Sequence, residues 1–322
     1  MGIKVSVIVP VYNVSAYIGR CVRSVMEQTY DNVECVIVDD ATPDDSITQC
    51  EQMIAAYEGP ITFSILHHEK NRGLSAARNT GTDAATGDYI FYLDSDDEIT
   101  NDCIEKLVRP VRNDATIEMV IGGFSRCSYG NLVPQKQQKK DVDSRETVRD
   151  FYFSRGGFYV NAWNKLVNRD FLHQHQIEFK EGVLWEDNLW TFFLLKHLNH
   201  IYMIPDATYI HYSHPLSIAT GTDWEKKACH WKLVYGEIAN HFTAGESGKE
   251  AKFYIKYFFF QMIRIQKSQE ICEVSQPYLK ALYDDHYIIE YLFYKIIALL
   301  SRFGLGRSFL HFTAKKVIRF HK

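Results

Sequence analysis

The sequence lacks the features that mark several common protein classes. Its seven cysteines are scattered and form no CxxC pair, which excludes a disulfide scaffold and predicts reduced thiols in the cytoplasm. No apolar run reaches the roughly 18 residues of a membrane-spanning helix, and the first residues lack the apolar core of a secretory signal. At 322 residues, of which 24% are charged, the chain is predicted to be a globular, cytoplasmic protein.

The glycine-rich phosphate-binding motifs are also missing. Neither GxGxxG nor GxxxxGK[ST] occurs, which argues against a dehydrogenase or a P-loop enzyme. A nucleotide bound to this chain would therefore need a metal ion to neutralise its phosphates.

Positive charge is scarce in the first two thirds of the chain and concentrated in the last third. Residues 1–224 carry 20 Lys/Arg against 31 Asp/Glu, a net charge of −11, whereas residues 225–322 carry 16 against 9, a net charge of +7. The acidic part predicts that nucleic acid is not a partner. The stretch from Ser301 to Lys322 holds six Lys/Arg and no acid, interleaved with apolar residues. It predicts either peripheral association with the anionic inner face of the cell membrane or a terminal helix packed on the protein.

Alternating strand and helix patterns in the first third predict a parallel sheet. Ser15 and Thr42 precede two of the helical patterns and are predicted to cap those helices. From Trp224 onward only helical periodicity appears, so we predict an α/β domain over residues 1–222 and a helical region over residues 223–322. The strand-like runs are Val5–Val9, Cys35–Val38, Ile61–Leu66 and Tyr89–Leu93.

Acidic residues follow two of the predicted strands directly. Asp39 and Asp40 come after the second strand, and Asp94 and Asp96 come after the fourth. Because the carboxyl ends of parallel strands share one edge of the sheet, these carboxylates are predicted to converge on one crevice. Their hard oxygens suit Mg²⁺ or Mn²⁺ and would leave positions open for a diphosphate. The alternative is a polar turn and helix cap without a ligand.

Four motifs in order and spacing resemble the family 2 glycosyltransferases. They are V-I-V-P-V-Y-N at 7–13, V-D-D-A-T-P-D-D-S at 38–46, N-R-G-L-S-A-A-R-N at 71–79 and L-D-S-D-D at 93–97. The resemblance is to the bacterial polysaccharide-building branch and covers about residues 3–215. It implies the GT-A fold, a Rossmann-like, mostly parallel sheet flanked by helices, here with a helical C-terminal region. Residues 1–100 would bind the donor and residues 101–222 the acceptor.

The resemblance also implies a donor nucleotide site at the first two strand ends. By resemblance, Pro10, Tyr12, Asp39 and Asp40 contact the base and ribose of a nucleotide diphosphate-sugar, with uridine diphosphate as the expected carrier. The usual glycine-serine of the second motif is replaced here by Ala41-Thr42. This departure keeps the turn feasible but makes its backbone less free.

The third and fourth motifs carry the residues nearest to the diphosphate. By resemblance, Arg78 lies near the donor, Asp94 binds ribose or metal, and Asp96 is the main ligand of Mn²⁺ or Mg²⁺. His211 and His214 sit where related enzymes have a loop that closes over the diphosphate, and either could complete the metal shell. The commoner fate of such a histidine is a surface or core position.

A further acid pair occurs far downstream, in Trp185-Glu186-Asp187. An acceptor hydroxyl is a poor nucleophile near neutral pH, so displacement at an anomeric carbon needs a base opposite the leaving group. By resemblance Asp187 is that base, and Glu186 is its neighbour that contacts the acceptor or orients the loop. One carboxylate suffices for an inverting transfer because metal stabilises the leaving diphosphate, whereas glycosidases use two. The alternative is a helix N-terminus with favourable acids.

Three more residues are weaker candidates for contacts to acceptor or phosphate. Lys165 and His214 could meet a phosphate, and Trp185 could stack on an acceptor sugar. An exposed lysine, a surface histidine and a core tryptophan are the corresponding alternatives.

The sequence therefore predicts a metal-dependent inverting glycosyltransferase that acts on a hydroxyl of a glycan or lipid-linked oligosaccharide in surface polysaccharide biosynthesis. A sugar nucleotidyltransferase is one alternative, but it needs a glycine-rich, basic loop after the first strand, and Tyr12-Asn13-Val14-Ser15 offers neither. A non-catalytic glycan-binding or scaffold protein with the same fold is the other.

Overall fold

The computed structural model describes residues 2–128, 130–135, 137–153, 157–213, 224–242, 248–265 and 271–302. The chain forms two compact units. The first comprises residues 1–182 and 186–221, and the second comprises 183–185 and 222–322.

The first unit is an α/β structure. Its strands are β1 (Val5–Val11), β2 (Val33–Asp39), β3 (Thr62–His67), β4 (Tyr89–Tyr92), β5 (Glu98–Ile99), β6 (Met119–Ser128), β7 (Asn131–Pro134), β8 (Lys140–Val142), β9 (Lys165–Asn168) and β10 (Ile201–Tyr212). Its helices are α1 (Ile18–Met26), α2 (Ser46–Ala55), α3 (Leu74–Ala84), α4 (Cys103–Asn113), α5 (Arg145–Phe153), α6 (Arg169–Gln174) and α7 (Glu186–His197).

All these strands belong to one sheet, whose main path runs β3-β2-β1-β4-β9-β6-β10-β5. The first four strands in this path are parallel, and β9 runs antiparallel to both β4 and β6. The β6–β10 pair is parallel again. The expected GT-A architecture, with a mostly parallel sheet flanked by helices, is confirmed.

Alternation along β1 places helices on both faces of the sheet. Val5, Val7 and Val9 belong to a buried cluster that also contains residues of α1, α2 and α4. On the other face α3 lies so close that a Cβ on Gly81 would stand 2.4 Å from Cγ2 of Ile8. Only a glycine permits this approach, and it fixes the depth of α3 beneath the sheet.

The predicted caps of α1 and α2 are wrong. The residues before these helices are Tyr17 and Asp45, and neither makes a side-chain capping bond. The hydroxyl of Thr42 instead donates to Oδ1 of Asp44 and accepts from the backbone N–H of Asn13, each at 2.7 Å. Thr42 therefore ties two strand-end turns together rather than starting a helix.

The second unit is helical where the structure describes it. Its helices are α8 (Trp224–Asn240), α9 (Gly248–Ile265), α10 (Ile271–Asp284) and α11 (Ile288–Arg302). A buried core of its own includes Tyr235, Ile255, Phe258 and Tyr278. Within the described ranges of the chain, no helix combines the length and the apolar character needed to cross a bilayer.

Candidate active site

The predicted acids follow the carboxyl ends of the parallel strands β2 and β4. Strand β1 lies between β2 and β4, so the strand order reverses there, and this is where ligands bind in open α/β sheets. The pairing of β4 with β1 ends at Ile8, while the pairing of β2 continues to Val11. The last residues of β1 therefore have an unpaired side. Pro10 lies among them, and because no strand pairs there, its missing N–H costs no hydrogen bond of the sheet.

The two acids that follow β2 have different surroundings. Asp40 is buried, and its carboxylate accepts hydrogen bonds from the backbone N–H groups of Arg72 and Gly73 at 2.8 and 2.7 Å. It also lies 2.7 Å from Nδ1 of His68. Its charge thus holds the turn that starts α3. Asp39 accepts from the backbone N–H of Thr42 at 2.8 Å and retains a partly exposed side chain.

The remaining residues predicted for the nucleotide lie at the same strand ends. Pro10 is buried in β1 opposite Val38, and Tyr12, just beyond β1, is 46% exposed. Ala41 has a φ of 54°, which is the left-handed conformation that glycine would adopt more easily. The Ala41-Thr42 departure therefore leaves the turn intact but strained at Ala41.

The turn after β4 gathers three carboxylates. Asp94, Asp96 and Asp97 each offer an oxygen, and these oxygens lie within 4.8 Å of one another. Asp97 is fully buried and accepts from the hydroxyl of Tyr209 at 2.8 Å and from the backbone N–H of Tyr212 at 2.7 Å. These bonds anchor the acid-rich turn to β10.

Arg78 joins this turn to the acids at the start of α7. Its guanidinium is 1% exposed, and Nη2 donates to Oδ1 of Asp94 at 2.8 Å. Nη1 donates to Oε1 of Glu186 at 2.8 Å and to Oδ1 of Asp187 at 3.1 Å. Residues separated by up to 109 positions therefore meet on one cation. We call Arg78, Asp94, Glu186 and Asp187 the arginine cluster.

Two carboxyl groups of the arginine cluster have a raised pKa. Burial raises the pKa of Asp94 to about 6; Arg78 opposes this shift, while Asp96 and Asp97 add to it. Burial and the charge of Asp187 raise the pKa of Glu186, which is more deeply buried than Asp187. The raised pKa favours the protonated form of Glu186 relative to an ordinary glutamate.

The acid-rich turn fits a divalent cation. Arg78 contacts Asp94, Glu186 and Asp187, and Asp96 and Asp97 lie in the same turn as Asp94, so these acids outnumber the basic side chains in contact with them. Carboxylate oxygens spaced as those of the turn are the ligands that Mg²⁺ and Mn²⁺ prefer. Asp94 and Asp96 are partly exposed, whereas both carboxylate oxygens of Asp97 already accept hydrogen bonds. Asp94 and Asp96 are thus the better placed ligands.

The other predicted residues have varied positions. Nδ1 of His211 lies 3.1 Å from Oδ2 of Asp97, and its ring stacks on Trp163. Lys165 is 1% exposed and donates to the carbonyl of Asn161; burial lowers its pKa to about 7. Trp185 belongs to the second unit, where it stacks on Trp231 at 4.7 Å. His214 lies outside the described residues.

Three residues that support the site escape prediction from the sequence. Asp97 is visible in its motif, but nothing local shows that it is the buried member. The hydroxyl of Tyr209 accepts from the backbone N–H of Asp94 at 3.3 Å while it donates to Asp97. Arg20 of α1 donates to the carbonyl of Asp96 and lies 3.8 Å above the ring of Tyr212. The only signal for Tyr209 is its position two residues before His211, and Arg20 has none.

Comparison with known proteins agrees with this geometry. Residues 6–175 match the model of glycosyl transferase family 2. The chain belongs to this family. Membership favours the glycosyltransferase over the sugar nucleotidyltransferase as the enzyme type.

Individual relatives extend the comparison. EpsH of Bacillus subtilis is 33% identical over 185 residues, which are 54% of this chain and 50% of EpsH. The chain spans 27% to 62% of the length of three curated relatives. Residues 1–349 of TarS from S. aureus, solved with UDP, superpose with a TM-score of 0.71 at 19% identity, covering 96% of this chain and 91% of TarS 1–349. The mannosyltransferase PcManGT from Pyrobaculum calidifontis, solved with GDP-Man and Mn²⁺, has a TM-score of 0.55 at 16% identity, covering 96% and 86%.

Proposed function

We propose that this glycosyltransferase is metal-dependent and inverting, and that it moves a sugar from a UDP-sugar to a hydroxyl of a glycan or lipid-linked oligosaccharide in surface polysaccharide biosynthesis. The observation that carries the proposal is the arginine cluster, in which Arg78 contacts both Asp94 and Asp187. A donor-side acid and a candidate base are thereby held within reach of one substrate.

The donor side rests on the excess of negative charge at the acid-rich turn. Asp94 and Asp96 would hold Mn²⁺ or Mg²⁺. When bound, such an ion supplies positive charge that neutralises a diphosphate. Tyr12, with its exposed ring, and Asp39 are suited to meet a base and ribose at the neighbouring strand ends. The UDP bound to TarS supports uridine as the base, and the Mn²⁺ of PcManGT supports the choice of ion.

The acceptor side rests on Asp187. Its carboxylate accepts a hydrogen bond from Nη1 of Arg78 at 3.1 Å and stays 21% exposed, so it is both positioned and accessible. We assign Asp187 to accept the proton of the acceptor hydroxyl as that oxygen bonds to the anomeric carbon. The bond from that carbon to the diphosphate oxygen breaks in the same step, and UDP leaves with the electron pair. A single displacement inverts the configuration.

Glu186 has a positioning role in this scheme. Its carboxyl is buried against Nη1 of Arg78, the nitrogen that also contacts Asp187. Glu186 thus fixes the guanidinium, and the guanidinium fixes the base. The raised pKa of Glu186 disfavours the ionised form that a general base requires.

Two substitutions test the division of roles. Asp187→Asn is expected to retain Mn²⁺-dependent binding of UDP-sugar, measured by calorimetry, and to lose turnover by about 10²–10⁴-fold. Asp96→Asn is expected to weaken that binding itself. Asp170→Asn, an acid that is 88% exposed, is the matched control and should change neither quantity.

Four outcomes would contradict the proposal. Equal loss of donor binding in Asp187→Asn and Asp96→Asn would refute the separation of base and metal ligand. Turnover that survives in Asp187→Asn, or a product with retained anomeric configuration by NMR, would refute the single displacement. Binding of glycan without any transfer from a panel of nucleotide sugars would favour the scaffold alternative.

A further inference from the structure

Helix α11 exposes an apolar face. Five of its large apolar residues are exposed to solvent, and Ile289 is exposed by 82%. We call these residues the α11 stripe: Ile288, Ile289, Leu292, Ile296 and Leu299.

The α11 stripe is continuous around the helix. At about 100° per residue its members fall within an arc of about 100°. Tyr294, Ile297 and Ala298, on the opposite side, are buried in the second unit. The helix is therefore apolar on both sides, whereas a surface helix normally presents polar residues to water. Such a contiguous exposed patch marks an interaction surface.

The borders of the α11 stripe are aromatic and basic. Lys295 lies at one edge of the stripe, and its Nζ contacts the hydroxyl of Tyr291 at 2.5 Å. Tyr283 of α10 is 58% exposed and packs on the ring of Tyr291. Tyrosine rings and lysine stems, with apolar bodies and polar tips, suit the boundary between hydrocarbon and lipid headgroups.

We propose that the α11 stripe docks on the surface of an anionic lipid bilayer. The helix has 15 residues and cannot cross a membrane, so it would lie in the plane of the headgroups. The sequence from Ser301 to Lys322 begins within α11 and carries six Lys/Arg and no acid. Apolar insertion and attraction to anionic headgroups would thus act together.

The same charges disfavour a second copy of this chain as the occupant. A symmetric pair that buried the stripe would join two helical regions that each carry a net charge of +7 over residues 225–322. Like charges close to an interface oppose association, whereas anionic lipids neutralise them. The proposed membrane docking is independent of the proposed transfer reaction, because no residue of the arginine cluster or of the acid-rich turn takes part in the docking.

Vesicle binding of the full chain tests the proposal. Co-sedimentation of the protein is measured with two kinds of vesicle. One is pure phosphatidylcholine, and in the other roughly 30% of the lipid is anionic phosphatidylglycerol. The unaltered protein should bind only the anionic vesicles, and binding should weaken with salt. Leu292→Gln with Ile296→Gln, at positions 50% and 49% exposed, should reduce the binding at least tenfold.

A matched double variant controls for loss of exposed apolar surface as such. Leu132→Gln with Val133→Gln, at positions 55% and 54% exposed in β7, should bind as the unaltered protein does. Absence of binding to anionic vesicles, or equal binding by the α11 variant, would overturn the proposal. So would a dimer in light scattering that dissociates only in the α11 variant. Donor hydrolysis in solution should be unchanged in the α11 variant, so this test and that of the transfer reaction can fail separately.

Discussion

The two units of the chain depart from the usual distribution of side chains in opposite ways. The first unit buries charge: Arg78 is 1% exposed and pairs with carboxylates 16, 108 and 109 residues away. The second unit exposes apolar surface along α11, and its ion pair between Lys280 and Asp284 lies in solvent within one helical turn. Because buried charge and exposed apolar surface both cost stability, each departure indicates a surface that meets a ligand.

The comparison also separates two kinds of ion pair. The pairs of Arg78 depend on the tertiary fold, since α3, the turn after β4 and the start of α7 must come together before all of them can form. The pair of Lys280 depends on one helix and lies in water, with side chains 77% and 53% exposed. Only the first kind is expected to matter for stability.

The largest predicted effect is therefore that of Arg78→Met. Removal of the guanidinium leaves the buried or partly buried carboxylates of Asp94, Glu186 and Asp187 without their positive partner. This should lower the free energy of unfolding by about 3–5 kcal/mol. Lys280→Met removes the exposed pair and should cost less than about 1 kcal/mol. Urea unfolding measures both. If the two variants lose similar stability, the contrast between the units is wrong.

A second effect follows from Lys165, whose side chain is also buried in the first unit. Burial lowers its pKa to about 7, whereas the unfolded chain retains the ordinary value of about 10.5. The unfolded state thus binds more protons between these values, so Lys165 makes stability rise with pH above about 7, by up to about 1.4 kcal/mol per pH unit. In Lys165→Met that rise should be absent.

Urea unfolding between about pH 7.5 and 9.5 checks the prediction, because Lys165 is the group whose removal distinguishes the two proteins. Lys180→Met, at an exposed lysine, is the control and should retain the slope of the unaltered protein. A parallel pH dependence in Lys165→Met and the unaltered protein would mean that Lys165 is charged in the folded state.

Much of the first unit could be predicted from the sequence because its signals are local. The β-branched runs predicted β1 to β4, and the positions of the acids directly after two of these runs predicted that they lie at the same edge of the sheet. The resemblance to family 2 glycosyltransferases predicted the fold that the structure has and the family that the comparison confirms.

Tertiary contacts could not be predicted in the same way. Asp39 and Asp40 are adjacent and alike in sequence, yet Asp40 is buried against the N–H groups of residues more than 30 positions away. The apolar pattern of α1 predicts only that Arg20 lies on the side of the helix away from the core, and it does not predict the contact of Arg20 with Asp96. The exposure of the α11 stripe could not be predicted either, since the pattern of an apolar helix predicts burial unless its neighbours in the fold are known.

A third effect should come from Tyr209→Phe. The hydroxyl of Tyr209 links the backbone N–H of Asp94 to the carboxylate of Asp97, so its loss leaves both with one partner fewer in a buried setting. The expected cost is about 1–3 kcal/mol with little change in volume. Tyr159→Phe, at a position 58% exposed, should leave the melting temperature unchanged. Equal melting temperatures for both variants would show that β10 does not anchor the acid-rich turn.

The smallest effect should be a gain, at Ala41. Its φ of 54° costs an alanine about 1–2 kcal/mol relative to glycine, and glycine returns part of this through the greater entropy of the unfolded chain. Ala41→Gly should therefore stabilise the first unit by about 0.5 kcal/mol, which thermal unfolding can detect. Asn13 has nearly the same φ, 55°, but asparagine tolerates it, so Asn13→Gly should bring no gain. A loss of stability in Ala41→Gly would show that the turn after β2 is not strained at Ala41. The acids after β2 would then be held without a cost in backbone strain.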